Sequence, residues 1–160
     1  MSDGCTKMHD DLHLKELYPR FSAQIENFLN KANRMGYCCG IFSGLRNFDQ
    51  QDKLYAQGRT EPGKIVTNAK GGESFHNYGL AVDIVFLENG NWSWDEKHEW
   101  RLLGELGKSF GVHWGGVWND KPHFERNFGY ALPELKKMYL EGGLQKVWST
   151  LDSQASIKTA

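Results

Sequence analysis

The sequence lacks the long apolar runs that mark membrane proteins and exported proteins. No stretch of its 160 residues approaches the ~20 apolar residues of a membrane span. Residues 1–11 contain no apolar run of the kind found in a signal peptide. We therefore expect a protein without a membrane span, made in the cytoplasm without a signal peptide, that meets any substrate outside the cell only after release.

An excess of charge of one sign is also missing. The formal net charge is −1, so no strong field favours nucleic acid or an anionic membrane, and a substrate must be recognised locally. Hydrophobic residues make up 39% and charged residues 24% of the chain, as in an ordinary globular protein. The length suits a single domain over residues 1–160. We expect no nucleic-acid partner, and we expect a monomer.

Cysteine is scarce and poorly spaced for cross-linking. The chain has three cysteines, Cys5, Cys38 and Cys39. Adjacent cysteines rarely bridge each other, and an odd number is a poor disulfide framework. We therefore predict reduced thiols. The Cys-x-x-Cys spacing of a cysteine metal site is absent.

The hydrophobic pattern alternates between helical and extended segments. Helical spacing or helix signals predict helices over 12–36, 48–57, 95–110 and 133–151, the last broken at Gly142–Gly143. Short apolar runs predict strands over 38–43 and 80–87, and Asn89–Gly90 predicts a hairpin turn. A further short strand is predicted over 122–126. The fold class that follows is α+β, with a small antiparallel sheet flanked by helices.

The residue that most needs a chemical explanation is Asp83. It lies within Val82-Asp83-Ile84, in the middle of a strand whose other residues are apolar. A buried carboxylate is costly unless it is paired or bound to a metal. His76 lies in the loop that leads into this strand, so it is able to fold back over the face that carries Asp83.

A second cluster of polar residues surrounds Pro122. The proline disfavours a helix, which places Asp120 in a turn and His123 at the start of a strand. Two histidines and one aspartate provide the three protein ligands of a catalytic zinc site, and the fourth position stays open for water. Asp120 is then a natural general base. Glu125 shares a strand face with His123 and would either orient its ring or form a structural salt bridge.

Arg46 is a third candidate site residue. It follows a predicted strand and a glycine. A guanidinium group suits bidentate capture of a carboxylate. Taken one by one, these residues have structural alternatives: Asp83 pairs with Arg46 or caps a turn, His123 is a structural histidine, and Arg46 forms a structural pair or lies at the surface. It is their combination that favours a metal site.

The combined motifs resemble a known family. Ser74-x-His76-x-x-Gly79-x-Ala81-x-Asp83, followed by Asp120-x-Pro122-His123-Phe124, resembles the VanY and D-alanyl-D-alanine carboxypeptidase type of zinc peptidase. Within that type, the segments that look most like the L-alanyl-D-glutamate endopeptidases of phage endolysins are Ser43–Arg46 with Gln50, Leu54–Thr60 and Pro62–Ala69. The resemblance covers roughly residues 20–130.

The resemblance implies a set of roles. It implies Zn²⁺ held by His76, Asp83 and His123, with Asp120 as the catalytic acid and base. It also implies that Arg46 binds a carboxylate of the substrate and that Ser74 and Gln50 contact the substrate. Many endolysin members have Trp-Gly-Gly-Asp-Trp where this chain has Trp114-Gly115-Gly116-Val117-Trp118. That difference bears on substrate preference and removes neither a ligand nor the base.

The function that the resemblance implies is hydrolysis of peptidoglycan stem peptides at the L-alanyl-D-glutamate bond, as in a phage or prophage lysin. A D,D-carboxypeptidase or D,D-dipeptidase that releases D-alanine would use the same metal site. An alternative of another class is a non-catalytic zinc module that binds the cell wall, although such a site has no need of a base at Asp120.

Overall fold

The computed structural model describes residues 10–159. The elements in chain order are α1 (Asp10–Glu16), α2 (Pro19–Arg34), β1 (Cys39–Ser43), α3 (Phe48–Ala56), β2 (Ala81–Glu88), β3 (Asn91–Ser93), α4 (Trp100–Ser109), β4 (His113–Trp114), β5 (His123–Glu125) and α5 (Leu132–Thr159). Short 3-10 helices cover Phe75–Tyr78 and Gly115–Trp118.

The chain forms two compact units, one from the residues up to Leu45 with Gly79–Arg126, the other from Arg46–Tyr78 with the residues from Asn127. A single domain over 1–160 stays a prediction.

The first unit contains the antiparallel sheet. Its strands are ordered β1-β2-β5-β4, and β3 also pairs with β2. Helices α1, α2 and α4 pack on these strands and on one another. The predicted α+β class, with a small antiparallel sheet flanked by helices, is therefore confirmed for this unit.

The two faces of the sheet differ in chemistry. Phe124 is fully buried, and its ring lies 5.0 Å from that of Phe28 in α2. On α4, Gly107 leaves room for the same ring, because a Cβ there would lie 2.5 Å from a Phe124 ring carbon. Since side chains alternate along a strand, His123 and Glu125 point to the face opposite Phe124. One face of the sheet is therefore the apolar core, and the other carries the polar residues.

Two predicted helices of the first unit differ from the structure, one because it is divided and one because it begins later. The predicted helix over 12–36 is two helices, because Pro19 disfavours helical geometry at Tyr18, which has φ −54° and ψ 126°. The predicted helix over 95–110 begins only at Trp100. Residues 95–99 form turns instead, in which Asp95 Oδ1 accepts from the backbone N–H of Lys97 at 2.9 Å, and short aspartate side chains favour such local bonds.

The second unit contains α3, the His76 loop and α5. Rings of Phe48 and Tyr139 stack at 4.3 Å, the hydroxyl of Tyr78 donates to the carbonyl of Gly72 at 2.7 Å, and Trp148 Nε1 donates to the carbonyl of Tyr78 at 2.8 Å. Burial raises the pKa of Tyr78, so this hydroxyl stays protonated. The predicted break at Gly142–Gly143 is confirmed by non-helical backbone angles there, and α5 continues to Thr159, beyond the predicted end at 151.

The cysteines differ from one another. Cys39 is a buried free thiol, whereas half-buried Cys38 is disulfide-bonded, so the prediction of reduced thiols is wrong for Cys38. Neighbouring residues of an extended chain point to opposite sides, which separates the environments of the two sulfurs. Cys5 lies outside the described residues. Across 10–159, none of the helices combines the length and the apolar character needed to cross a membrane.

Candidate metal centre

Asp83 and His123 meet because their strands are paired in register. Asp83 on β2 lies directly opposite His123 on β5, and directly opposite residues share a face of the sheet. Nδ1 of His123 is 3.5 Å from Oδ1 of Asp83. Both side chains are largely buried, with 11% and 17% of their surface exposed. The strand pairing therefore places an imidazole and a carboxylate together in a partly desolvated position.

Glu125 lies on the other side of the same imidazole ring. Its Oε2 is 2.6 Å from Nε2 of His123. Burial by itself would lower the pKa of His123, but hydrogen bonds and charge attraction from Asp83 and Glu125 outweigh it and raise the pKa to about 9. Glu125 therefore fixes the ring so that Nδ1 faces Asp83. Of the two alternatives that the sequence leaves open for Glu125, the structure shows the contact with the His123 ring.

Asp120 is held by a tight turn between β4 and β5. Its backbone N–H donates to the carbonyl of Gly115 at 2.9 Å, and its own carbonyl accepts from the N–H of His123 at 3.2 Å. Asn119 makes the turn possible by adopting a left-handed backbone with φ 67°. The carboxylate of Asp120 is 4.0 Å from Nδ1 of His123, and 52% of its side chain is exposed. It therefore faces the same nitrogen as Asp83 while remaining open to water.

His76 belongs to a 3-10 helix that polar side chains fix in place. It is buried, with 2% of its surface exposed, and its backbone N–H donates to Oγ of Ser74 at 3.2 Å. The adjacent Asn77 accepts from the N–H groups of Gly72 at 3.0 Å and Ser74 at 3.3 Å. Its amide donates to the carbonyl of Arg46 at 3.0 Å. Asn77 therefore organises this loop, a role that could not be predicted because burial of a loop asparagine has no signature in sequence.

One donor atom from each of His76, Asp83 and His123 lies within 4.8 Å of those of the other two. A tetrahedral zinc ion with ligands at about 2.1 Å separates neighbouring donors by about 3.4 Å, and the 3.5 Å between His123 and Asp83 is close to that value. Two imidazoles and one carboxylate are also a donor set that suits zinc. The arrangement fits a metal ion with an open coordination position.

The remaining predicted site residues belong to the second unit. Arg46 is half-buried, and its backbone N–H donates to the carbonyl of His76 at 3.0 Å. Gln50 is exposed, and its Oε1 accepts from the backbone N–H of Asn47 at 2.8 Å. The substrate contacts expected for Arg46, Gln50 and Ser74 stay predictions.

Comparison with known proteins gives the family. The family model described as D-alanyl-D-alanine carboxypeptidase matches residues 67–126, the segment that contains His76, Asp83, Asp120 and His123. The peptidoglycan L-alanyl-D-glutamate endopeptidase CwlK of Bacillus subtilis is 39% identical in an alignment 122 residues long that covers 69% of this chain and 73% of that protein. This chain belongs to the D-alanyl-D-alanine carboxypeptidase family of peptidases, and the resemblance seen in the sequence is confirmed.

Solved structures share the fold. The L-Ala D-Glu endopeptidase ChiX of Serratia marcescens has a TM-score of 0.57 and 23% identity, covering 77% of this chain and 90% of that chain. The vancomycin resistance D,D-pentapeptidase VanY, in complex with Zn(II), has a TM-score of 0.52 and 21% identity, covering 80% of this chain and 81% of that chain. At these identities the similarity establishes the fold.

Proposed function

We propose that this chain is a zinc-dependent peptidase that hydrolyses the stem peptides of peptidoglycan at the L-alanyl-D-glutamate bond. The observation that carries the proposal is the convergence of donor atoms from His76, Asp83 and His123 within 4.8 Å, with the carboxylate of Asp120 beside them. The identity to CwlK, named as an L-alanyl-D-glutamate endopeptidase, supports this choice of bond.

The three ligands and their support have separate roles in this proposal. His76, Asp83 and His123 would hold the zinc ion, and Glu125 would keep His123 oriented through Nε2, as partners of ligating histidines commonly do. Zinc bound there supplies Lewis acidity toward the scissile carbonyl and toward the attacking water. The buried position of the ligands favours strong electrostatic interactions.

Asp120 would carry the proton. As the water oxygen bonds to the carbonyl carbon, the Asp120 carboxylate takes a proton from that water. When the carbon–nitrogen bond breaks, Asp120 delivers this proton to the leaving amine. Its exposure and its 4.0 Å separation from Nδ1 of His123 suit this role, because the carboxylate is close to the ligands and open to solvent.

Arg46, Ser74 and Gln50 would position the substrate. Stem peptides carry several carboxylates, and the Arg46 guanidinium is suited to bind one of them. The Arg46 backbone is hydrogen-bonded to the loop that holds His76. The same loop would therefore position both a metal ligand and the residue that binds the substrate. Ser74 already accepts from the backbone of His76, and it would contact the substrate through its hydroxyl hydrogen.

A second function shares the same site. The description of the matching family is D-alanyl-D-alanine carboxypeptidase, and a solved structure with this fold is a VanY protein in complex with D-alanine-D-alanine. For a D,D-carboxypeptidase, Arg46 would bind the free terminal carboxylate of the stem peptide instead of an internal one.

One experiment separates these functions. Purified protein is incubated with peptidoglycan, with chelator or with added Zn²⁺, and the products are identified by mass spectrometry. We expect new amino-terminal D-glutamate that depends on zinc. Release of free D-alanine would assign the chain to the carboxypeptidase function instead, and binding to the wall without any cleavage would contradict both and favour a binding module.

The role of Asp120 has its own test. We expect Asp120→Asn to lower kcat about 10²- to 10⁴-fold, the range of general acid–base catalysis, with the zinc content of the protein unchanged. The matched control is Asp152→Asn, at an exposed position on α5. Full activity of Asp120→Asn with zinc bound would show that another group is the base.

A further inference from the structure

A pocket of about 300 Å³ adjoins Asp120 in the first unit. Its lining includes Trp94, Trp100, Asn119 and Lys121. Ligand sites in proteins combine apolar walls with polar groups that set orientation. In this pocket two tryptophan rings and a proline stand beside four polar or charged residues. Because the proposed catalytic base forms part of its wall, whatever occupies the pocket lies next to the reacting bond.

The aromatic wall of the pocket continues onto an exposed surface. Trp94 is 48% exposed and Phe42 is 45% exposed. Their rings meet edge to face at 4.9 Å, and Trp92 extends the row at 5.6 Å from Phe42. Trp100 differs, since it is 5% exposed and its Nε1 donates to the carbonyl of Asp95 at 2.9 Å. Trp100 is thus a fixed wall, whereas Trp94 and Phe42 leave apolar surface in water, as binding surfaces do.

The polar groups of the pocket are arranged around these rings. Lys121 forms an ion pair with Glu96, so its positive charge is already balanced by a carboxylate. Asn119 contributes an amide and Asp120 a carboxylate. An occupant therefore meets aromatic faces, hydrogen-bonding groups and the negative charge of Asp120. A sugar ring matches this, because it has a C–H face that packs on the negative face of an aromatic ring and hydroxyl groups along its edge.

Cleavage at the proposed L-alanyl-D-glutamate bond also places a sugar near the catalytic residues. In peptidoglycan, the L-alanine of the stem is attached to the lactyl group of N-acetylmuramic acid. One residue spans at most about 3.6 Å, so cleavage after this alanine brings the sugar close to the catalytic residues. A pocket that begins at Asp120 is at a suitable place to receive it.

We propose that the pocket lined by Trp94, Trp100 and Asn119 binds the sugar ring of N-acetylmuramic acid, with Phe42 and Trp92 extending the surface toward the next sugar of the glycan strand. This rests on the proposed L-alanyl-D-glutamate specificity. Trp94 is the specificity-determining residue, because its exposed ring packs on the sugar. The enzyme then favours stem peptides that are still attached to glycan.

The test compares two substrates that differ only in the sugar. One is N-acetylmuramoyl stem peptide, and the other is the same peptide with a free amino-terminal L-alanine. For Trp94→Ala we expect the KM of the sugar-bearing substrate, relative to that of the free peptide, to rise about threefold to tenfold, as one aromatic contact predicts, with little change in kcat. Trp94→Tyr should restore most of this preference. The matched control is Leu102→Ala, an apolar residue on α4 that is 41% exposed and outside the pocket.

Each other outcome has a definite meaning. An equal rise of KM for both substrates would show that the pocket binds the peptide, and an unchanged ratio would show that it binds neither; both overturn the proposal. If the wild-type protein cleaves neither substrate, the proposed function fails, and the pocket is tested without cleavage by NMR titration with the N-acetylglucosamine–N-acetylmuramic acid disaccharide. The indole N–H resonance of Trp94 is identified by its loss from the spectrum of Trp94→Ala. A shift of this resonance on titration would retain the sugar site, and no shift would overturn it.

Discussion

His123 shows how a single residue depends on its surroundings. Its ring lies between the carboxylates of Asp83 and Glu125, and a buried carboxylate is costly unless it is paired or bound to a metal. The His123 ring therefore offsets the cost of burying the carboxylates of Asp83 and Glu125, and they offset the cost of burying the ring. A zinc ion at Nδ1 would leave the contact between Nε2 and Glu125 in place.

Glu125 carries the first prediction. We expect Glu125→Ala to weaken zinc affinity about 10- to 100-fold, because the ring loses the partner that orients it. Glu125→Gln keeps a hydrogen-bond acceptor but loses the charge, so its effect should be smaller. Competition with a chromogenic chelator measures both. Glu105→Gln is the control, since Glu105 is exposed and paired with Lys108. Equal zinc affinity in Glu125→Ala and wild type would contradict the positioning role.

Single residues also show the limit of prediction from sequence. Asp83 was conspicuous because a charge interrupts an apolar strand, and His123 because Pro122 precedes it at a strand start. Asn77 was not, although it is 1% exposed and bonds to two backbone groups of the His76 loop and to the carbonyl of Arg46. A polar residue in a polar loop gives no sign of whether it is buried.

At the scale of elements, the turn between β4 and β5 determines where Asp120 lies. Gly115 is buried, and a Cβ at this position would lie 2.5 Å from the carbonyl oxygen of Asp120 and 2.8 Å from Cβ of His123. We expect Gly115→Ala to displace the turn, to lower the free energy of unfolding by about 1–3 kcal/mol and to reduce both zinc binding and activity.

Thermal unfolding and metal analysis of Gly115→Ala check this prediction. Gly44→Ala is a suitable comparison in the same unit, because its nearest neighbour would be the flexible His13 side chain at 3.2 Å. Wild-type zinc content and activity in Gly115→Ala would show that the turn tolerates a larger residue and does not fix the site.

Helix α3 provides a prediction that separates stability from substrate binding. Asn47 and Gln50 form a reciprocal capping box at its start. Glutamate also serves in such a box, so Gln50→Glu should change the free energy of unfolding by less than about 0.5 kcal/mol, whereas Asn47→Ala should lower it by about 1 kcal/mol. If Gln50 contacts an anionic stem peptide, the added charge raises KM. An unchanged KM would reduce Gln50 to a capping residue.

Element boundaries were predicted where a strong local signal existed. The Asn89–Gly90 turn is confirmed, with positive φ at both residues, and so is the strand that contains Asp83. The predicted helix over 12–36 was wrong at Tyr18, because Pro19 sterically disfavours helical geometry in the residue before it. The predicted start at Asp95 was wrong because aspartate also stabilises turns, and local sequence does not determine which of the two forms.

At the scale of the whole molecule, metal binding should be linked to folding. A ligand that binds only the folded state at 1,000 times its Kd stabilises that state by about 4 kcal/mol, which corresponds to a rise in Tm of roughly 10 °C for a chain of this size. We expect added Zn²⁺ to produce a rise of this order, and a chelator to reverse it. Differential scanning calorimetry measures the shift.

The matched variants make this prediction specific. Asp83→Asn should abolish the zinc-dependent rise in Tm, because a neutral amide replaces the charged ligand. Asp152→Asn, at an exposed position, should retain it in full. A zinc-dependent rise that persists in Asp83→Asn would place the stabilising zinc at another site.

The sequence by itself determined the fold class, the family and the identity of the residues with chemical potential, because strand alternation, turn residues and motif spacing are local properties. Only the tertiary structure decided which of these residues meet. The register of β2 with β5 places Asp83 opposite His123, and the turn after β4 aims Asp120 at the same nitrogen. The tertiary structure also brings Trp94, Trp100 and Asn119 together in one pocket beside Asp120. Such contacts depend on strand pairing and packing between distant segments, which no local pattern encodes.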